Sequence, residues 1–383
     1  MINMATTVTS AFNTFQKDIV NLNSTTSVTA RSSRNWLLEQ ISKFPDKNSN
    51  FPILYPDINI AFGSFARKTK TRPLDDIDLM VGINADGCYY SENSWDDINL
   101  CFPNSYTGKL KNYADTRNSS YLSSTRITNA FKTALENVSH YSSAVIKRDG
   151  EAATLKLSSY SWNFDIVPCF FTKPDIFGKT YYLIPNRNGG WKKTDPRLDR
   201  DRLSLVNQNQ LGRVLNVIRI LKYWKQEKKV NIGSYLLEAM ILYYYESKPN
   251  NTCSEYVDLE LENVFNYLAN SILNTVADPK KIQNNINDFD YYDRYSLSEK
   301  FKKFAQLSNE ARQLEIDQKI ERSINKWKEV FGDSLVSILY NFETMSDSFG
   351  KQTIEIKGYD IDGFQSNKYP SLDTIKHERF GGD

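Results

Sequence analysis

The stretch "AFGSFARKTKTRPLDDIDLMVGI", residues 61–83, decides the fold, because it joins a Gly-Ser pair to an apolar strand that carries aspartates. In an extended strand, successive side chains point to opposite faces. Asp76 and Asp78 therefore share one face, and Ile77 and Leu79 share the other. Like charges on one face of a strand cost stability unless a cation lies between them.

These two carboxylates predict a site for a divalent metal ion. Mg²⁺ at phosphoryl-transfer sites is typically held by one or two carboxylates, with other positions left for water and phosphate. A solvated acidic face on an edge strand explains a bare Asp-x-Asp equally well. Gly63 and Ser64 favour the metal site, because glycine lets backbone approach a ligand closely and the N–H groups after the serine suit a phosphate. Arg67, Lys68 and Lys70 add positive charge beside them.

The pattern resembles the nucleotidyltransferases of the DNA polymerase β superfamily, in which a Gly-Ser turn precedes a strand with two acidic residues. The resemblance implies a third carboxylate from a later strand, and Asp165 in "SSYSWNFDIVPCFF" is the candidate. Strand alternation puts Asp165 on the opposite face from Phe164 and Ile166. The resemblance implies two Mg²⁺ ions, or Mn²⁺ in their place, held by Asp165 with Asp76 and Asp78.

The downstream half narrows the resemblance. The run "LGRVLNVIRILKYWKQEKK", residues 211–229, has apolar side chains at helical spacing, with Lys222 beside that stripe. A second apolar helix, "SYLLEAMILYYY", opens at Ser234. These motifs are similar to those of the 2′-5′-oligoadenylate synthetase and cGAS/DncV-like branch, the CD-NTases. The resemblance implies that Lys222 and Ser234 hold the donor triphosphate and that Tyr235 stacks on its base, with core packing as the alternative for Tyr235.

Strand patterns come first in the chain and helical patterns later, which indicates an α+β fold. With the resemblance, this predicts a polymerase-β-like nucleotidyltransferase sheet with helices, a C-terminal helical lobe, and an active site in the cleft between them. The predicted regions are a catalytic lobe with N-terminal helices at 1–200, a helical lobe at 201–343 and a flexible tail at 344–383. Strands are expected near 57–62, 74–83, 143–148, 152–159 and 162–171, and helices near 11–22, 33–44, 122–139, 203–229, 234–247, 257–276 and 297–331.

Two segments lack a clear pattern. Residues 85–122 are interpreted as a long polar insertion, a length that is uncommon in compact domains unless the loop is functional or mobile. The run "IPNRNGGWKKTDPRLDRDRL", residues 184–203, is interpreted as a basic loop around Trp191. This loop is either a mobile rim that contacts a triphosphate or a base, or a solvated loop without such a role.

The composition favours a soluble enzyme. The chain has 383 residues, with 48 basic and 46 acidic side chains, and this balance argues against a dedicated nucleic-acid coat protein. The 4 cysteines form no C-x-x-C pair and there are 2 histidines, so neither structural zinc nor a zinc-ribbon DNA-sensing module is expected. The chain has no apolar run of membrane-span length and the N-terminus "MINMATTVTSAF" lacks signal-peptide features, which predicts a cytoplasmic protein.

The resemblance implies an enzyme that joins nucleoside triphosphates without a template and releases pyrophosphate. The implied substrates are ATP, GTP or pyrimidine NTPs, and the implied product is a cyclic di- or trinucleotide second messenger used in anti-phage (CBASS-like) signalling. It also suggests a partner that conjugates the C-terminus, which ends in Gly381 and Gly382 before the last residue. The alternatives are an RNA-extending or linear oligonucleotide-synthesising enzyme, a small-molecule nucleotidyltransferase, and a catalytically inactive nucleotide-binding scaffold.

Overall fold

The computed structural model describes residues 7–335. These residues belong to one unit that spans Met1–Phe342, and the chain divides there from Glu343–Asp383. The predicted tail at 344–383, which includes Gly381 and Gly382, lies outside the described residues. The predicted boundary between residues 200 and 201 stays a prediction.

Nine strands within residues 7–335 form one curled sheet. They are β1 (Ile60–Phe62), β2 (Asp76–Gly82), β3 (Tyr89–Ser94), β4 (Asp97–Cys101), β5 (Val145–Asp149), β6 (Ala152–Lys156), β7 (Asn163–Phe171), β8 (Tyr182–Pro185) and β9 (Trp191–Thr194). Their order is β1-β2-β7-β8-β9-β4-β3, and β6 and β5 continue from β7. The first part of β7 pairs in parallel with β2 and antiparallel with β6, while its end pairs with β8.

The helices of the described part are α1 (Val8–Phe15), α2 (Ser24–Ser42), α3 (Phe44–Lys47), α4 (Gly63–Ala66), α5 (Ser124–Glu136), α6 (Pro196–Asn209), α7 (Val214–Glu227), α8 (Ser234–Glu246), α9 (Asp258–Ser271), α10 (Tyr291–Ile316) and α11 (Ile320–Phe331). Strands dominate the first part of the chain and helices the second, so the predicted α+β fold is confirmed. None of the helices in this part of the chain combines the length and the apolar character that crossing a membrane requires.

The sheet has its own apolar core. Ile77 and Leu79 of β2, and Phe164 and Ile166 of β7, project to the face that α5 covers, where Phe131 is fully buried. The alternate residues of β2 and β7 point the other way, as strand geometry requires. The core therefore fixes which face of the sheet carries the aspartates.

A second core lies among the helices that follow the sheet. Trp224 of α7, Phe265 of α9 and Phe301 of α10 are buried together in it. The first helix of the chain also packs here, since the rings of Phe12 and Trp327 meet edge to face at 4.9 Å. Helix α1 therefore packs against the helices that follow the sheet.

The interpretation of residues 85–122 as a polar insertion is wrong in one respect. This segment contains the hairpin β3-β4, and β4 pairs with β9 through Ile98 and Trp191. Alternation in these short strands is weak because β3 is mostly exposed, so the sequence pattern did not reveal them. The insertion extends the sheet.

The interpretation of residues 184–203 as a loop is also wrong. Strands β8 and β9 form a hairpin around a turn in which Gly189 has φ +96°, and α6 then begins at Pro196 with the Asp195 side chain as its N-cap. Trp191 is fully buried and donates its Nε1–H to the Leu122 carbonyl at 3.0 Å. Its ring is therefore unavailable for stacking on a base.

Two predicted helices are each divided in the structure. The helix expected at 203–229 breaks between α6 and α7, where Leu211 and Gly212 have φ values of 57° and 81°. The helix expected at 297–331 breaks between α10 and α11, where Gln318 has φ 61°. Non-glycine residues in the left-handed region are uncommon, so periodicity alone does not reveal such breaks.

Candidate active site

The three candidate aspartates lie on two adjacent strands. In the parallel pairing of β2 with β7, Asp78 is opposite Asp165 and Asp76 is opposite Asn163. Neighbouring strands are separated by about 4.8 Å, so the Asp78 and Asp165 carboxylates begin from adjacent backbone positions. The predicted sharing of one face by Asp76 and Asp78 is confirmed, because Ile77 and Leu79 are buried in the core behind them.

Asp78 is in an environment that disfavours its charge. Burial, and then the negative charges of Asp76 and Asp165, raise the pKa of the Asp78 carboxyl to about 7. The pKa of Asp165 is also raised, first by burial, although the Thr154 hydroxyl donates a hydrogen bond of 2.7 Å to its Oδ1 and opposes the shift. A cation bound at this face would relieve both carboxyls.

One cation from the chain already lies at this face. The Lys70 ammonium forms an ion pair of 2.6 Å with Asp76 Oδ1 and a second ion pair with Asp75. Within residues 7–335, no three carboxylate, thiol or imidazole side chains gather around one point as a preformed metal cage. The carboxylates have other partners, because Asp76 Oδ1 accepts a hydrogen bond from Lys70 and Asp165 Oδ1 accepts one from Thr154. The donor set of carboxylate oxygens nevertheless fits a hard divalent cation.

Gly63 brings the backbone of the Gly-Ser turn against this face. It follows β1, whose Phe62 is paired with Asp78 of β2. Gly63 has φ +71°, and a Cβ atom at this position would lie 1.7 Å from Asp78 Oδ2. Both the backbone conformation and the available space therefore require glycine, and Ser64 lies beside the aspartates as a result.

A cleft of about 610 Å³ lies between the sheet and helices α7 and α8. Eight of the residues singled out from the sequence line it: Ser64, Arg67, Lys70, Asp76, Asp78, Lys222, Ser234 and Tyr235. Asp165 and Gly63 are not among the lining residues, but both adjoin Asp78, which is. A second cavity, of about 470 Å³ between α3 and α5, has no carboxylate among its lining residues.

The helical side of the cleft bears Lys222 and Lys225 of α7, and the sheet side bears Arg67 and Lys70. Lys222 of α7 is 9% exposed and forms an ion pair of 2.8 Å with Glu238. Lys225, one turn later, donates a hydrogen bond of 3.1 Å to Ser234 Oγ. Burial and the charge of Lys222 lower the pKa of Lys225, so this end of the cleft favours an anion.

Tyr235 is not a core residue. It is half-buried, it lines the cleft, and its hydroxyl donates to Asp199 at 2.7 Å and accepts from Lys280 Nζ at 2.7 Å. The Lys280 ammonium also lies 4.1 Å from the ring centroid. Burial and the negative charge of Asp199 raise the pKa of the Tyr235 hydroxyl. The contacts hold the ring in one orientation at the edge of the cleft.

Several site residues were missed or misjudged from the sequence. Of the basic residues after the Gly-Ser turn, Arg67 and Lys70 line the cleft, but Lys68 lies outside its lining. Glu238 and Lys280 received no role, although they contact Lys222 and Tyr235. Glu238 is the fifth residue of the run "SYLLEAMILYYY" that carries the resemblance, so a signal was present, whereas nothing local distinguishes Lys280.

The fold is that of a nucleotidyltransferase. No protein-family model matches the chain. A curated protein of Bacillus cereus (strain VD146), described as a probable cyclic nucleotide synthase, is 40% identical over 335 residues, which cover 87% of this chain and 99% of that protein. The chain belongs to the CD-NTase family, so the resemblance seen in the sequence is confirmed.

Solved structures support the fold. The structure of Escherichia coli MS115-1 CdnC with ATP matches at a TM-score of 0.60 and 18% identity, over 85% of this chain and 98% of that chain. The complex of the same CdnC with HORMA-deltaN matches at a TM-score of 0.59 and 18% identity, over 85% and 96%. At this identity the likeness concerns the fold, and it confirms the predicted nucleotidyltransferase sheet with a helical lobe.

Proposed function

We propose that the protein is a Mg²⁺-dependent synthase that joins nucleoside triphosphates, without a template, into a cyclic di- or trinucleotide. The observation that carries the proposal is the pairing of Asp78 with Asp165, on the face shared with Asp76 and at a cleft whose other side bears Lys222. The relative described as a probable cyclic nucleotide synthase supports a cyclic product. The CdnC structure with ATP supports ATP as one substrate.

The carboxylates of Asp76, Asp78 and Asp165 would hold the metal ions, either Mg²⁺ or Mn²⁺. When bound, such ions lower the pKa of the acceptor hydroxyl and neutralise charge on the triphosphate. The fit rests on the raised pKa values of Asp78 and Asp165, which burial and neighbouring charge produce, and on the Lys70 ammonium already attracted to Asp76.

The side chains of the cleft have separate roles in this proposal. Lys222 and Ser234 bind the donor triphosphate from the helical side, and Ser64 donates a hydrogen bond to it from the sheet side. Tyr235 stacks on the donor base. Asp165 accepts the proton of the attacking hydroxyl at Oδ2, because Thr154 occupies its Oδ1.

Each transfer forms one phosphodiester bond and releases one pyrophosphate. A linear intermediate that rebinds with its own triphosphate in the donor position then closes the ring in the last transfer. We propose that the cyclic product is a second messenger in anti-phage signalling and that the enzyme acts in the cytoplasm. Conjugation of the C-terminus by a partner stays a prediction, since those residues lie outside the described ones.

The test is an incubation of purified protein with Mg²⁺ and all four NTPs, without primer, followed by mass spectrometry. The proposal expects a product whose mass equals that of two or three nucleoside monophosphates, each less one water. Linear products that retain a 5′-triphosphate would instead favour the oligonucleotide-synthesising alternative. An absence of any product across Mg²⁺ and Mn²⁺ would favour the inactive scaffold.

We expect Tyr235→Ala to raise the KM for ATP by about 5- to 150-fold, since stacking on a base is worth about 1–3 kcal/mol. The effect on kcat should be much smaller, because stacking is similar in the ground and transition states. Tyr243→Ala is the matched control. Tyr243 lies on the same helix, but it is not part of the cleft lining, and its hydroxyl donates to the Ala277 carbonyl. Steady-state kinetics decide, and an unchanged KM in Tyr235→Ala would rule out stacking.

A further inference from the structure

Glu238 binds residues from both sides of the cleft. It lies on α8, and 5% of its side chain is exposed. Its Oε1 accepts hydrogen bonds from Lys222 Nζ at 2.8 Å and from Thr69 Oγ1 at 2.9 Å. Its Oε2 accepts from Arg67 Nε at 3.2 Å and Nη2 at 3.1 Å. One carboxylate thus joins the segment after the Gly-Ser turn to the lysine of α7.

The charges around Glu238 do not balance. Burial alone would raise the pKa of the Glu238 carboxyl, but the positive charges of Arg67 and Lys222 outweigh it and hold the pKa below its ordinary value. The carboxylate is therefore ionised at neutral pH and neutralises one of the two cations. Among these three side chains one positive charge is in excess, and the Arg67 and Lys222 side chains are 14% and 9% exposed. Against the effect of burial, Glu238 and Asp199 together hold the pKa of Arg67 above its ordinary value. Both cations line the cleft.

A buried ion pair is in itself weak evidence for a contribution to stability. Its effect on geometry is clearer, because lysine has a flexible four-carbon stem that a fixed partner must hold in place. Glu238 holds the Lys222 ammonium on one oxygen and the planar Arg67 guanidinium on the other. Neither cation can turn away from the cleft without breaking these bonds.

We propose that Glu238 is a positioning residue for the donor triphosphate. It orients Lys222 and Arg67 toward the cleft and limits their combined charge to a single surplus. This makes Arg67 a further contact for the triphosphate, on the sheet side of the cleft. The inference rests on the proposed function, because it concerns the binding of the same donor nucleotide.

The main test is Glu238→Gln, which keeps the side-chain size and removes the charge. Two unneutralised cations then bind the triphosphate more tightly in the ground state but in a less suitable geometry. We expect the KM for ATP to fall by about 3- to 10-fold and kcat to fall by about 10-fold or more, a pattern that loss of stability alone does not produce. Inorganic tripolyphosphate should raise the melting temperature of Glu238→Gln more than that of the wild type.

The matched control is Glu246→Gln. Glu246 lies on the same helix and binds Arg202 through both oxygens, at 2.7 and 2.8 Å, and it is not part of the cleft lining. We expect this variant to keep the wild-type KM and kcat. If Glu238→Gln behaves like Glu246→Gln, or if its KM for ATP rises, the inference is wrong.

A second pair of variants tests the inference even if Glu238→Gln does not fold. Lys222→Gln should raise the KM for ATP, because Arg67 and Glu238 then neutralise each other. Adding Glu238→Gln to Lys222→Gln restores one surplus charge and should lower the KM again; a double variant with no lower KM would overturn the inference. Failure of the proposed function looks different, since the wild type itself would then make no nucleotide product.

Discussion

Asp78→Asn is expected to abolish nucleotide synthesis and, at the same time, to stabilise the metal-free protein. The substitution removes a proposed metal ligand at the centre of the site, and we expect kcat to fall by about 1000-fold or more, equivalent to about 4 kcal/mol of transition-state stabilisation. It also removes a charge that burial, Asp76 and Asp165 disfavour. A residue retained for stability would show the opposite effect on melting.

The stability effect depends on pH in a defined direction. Burial and the neighbouring carboxylates raise the pKa of Asp78 to about 7 in the folded protein, against about 4 in the unfolded chain. The folded state therefore binds more protons between these values, and its stability is present at low pH and is lost as the pH rises toward 7. Above that range, Asp78→Asn should melt higher than the wild type by about 2–5 °C.

The measurement is a set of thermal melts in EDTA at pH 5 and pH 8. The difference between Asp78→Asn and the wild type should be larger at pH 8, because the wild-type carboxyl is charged there. The exposed Asp57 provides a control, and Asp57→Asn should change neither the melting temperature nor the activity. An Asp78→Asn variant that melts lower than the wild type at pH 8 would indicate a structural role for Asp78.

Gly63→Ala should have the second-largest effect. Its Cβ would lie 1.7 Å from Asp78 Oδ2, so either the turn or the aspartate must move. We expect kcat to fall by about 100-fold or more, since displacements of about 1 Å in an active site have effects of this size. The melting temperature should fall as well, because alanine is disfavoured at φ +71°.

Gly87→Ala separates these two causes. Gly87 has a similar φ of +80°, but a Cβ there would meet nothing within 4 Å. It should therefore show the backbone effect alone, about 1 kcal/mol, and retain full activity. Kinetics and melts on both variants decide the question. Equal activities would mean that contact with Asp78 is unimportant.

The sequence was most informative about features of the site that depend on neighbouring residues. Strand alternation alone predicts that Asp76 and Asp78 lie on one face of β2 and that Ile77 and Leu79 lie on the other, and the structure agrees. Gly63 was predicted to let the backbone approach a ligand closely, which stays a prediction; the close approach in the structure is to the Asp78 carboxylate. In both cases the relevant partner lies within a few residues along the chain or on the adjacent strand.

Sequence patterns did not predict the contacts between segments that are far apart in the chain. The family resemblance implied that a later strand supplies Asp165, but the pairing of β2 with β7 was not predicted, because nothing in the local sequence specifies which strands become neighbours. The bonds from Arg67 and Thr69 to Glu238 join residues far apart in the chain. Trp191 was misjudged for the same reason, since its burial depends on the Leu122 segment and on β4.

The most direct test of the central claim is transfer from α-³²P-labelled ATP, mixed with the other NTPs, by the wild type and by Asp165→Asn. Products are treated with phosphatase, which removes label from unused ATP and from the 5′ ends of linear products but leaves it in every newly formed phosphodiester bond, whether cyclic or linear. The account predicts phosphatase-resistant label with the wild type in Mg²⁺, none in EDTA, and none with Asp165→Asn in Mg²⁺. Phosphatase-resistant label from Asp165→Asn at the wild-type rate would contradict it, because the carboxylate beside Asp78 would then have no part in the chemistry.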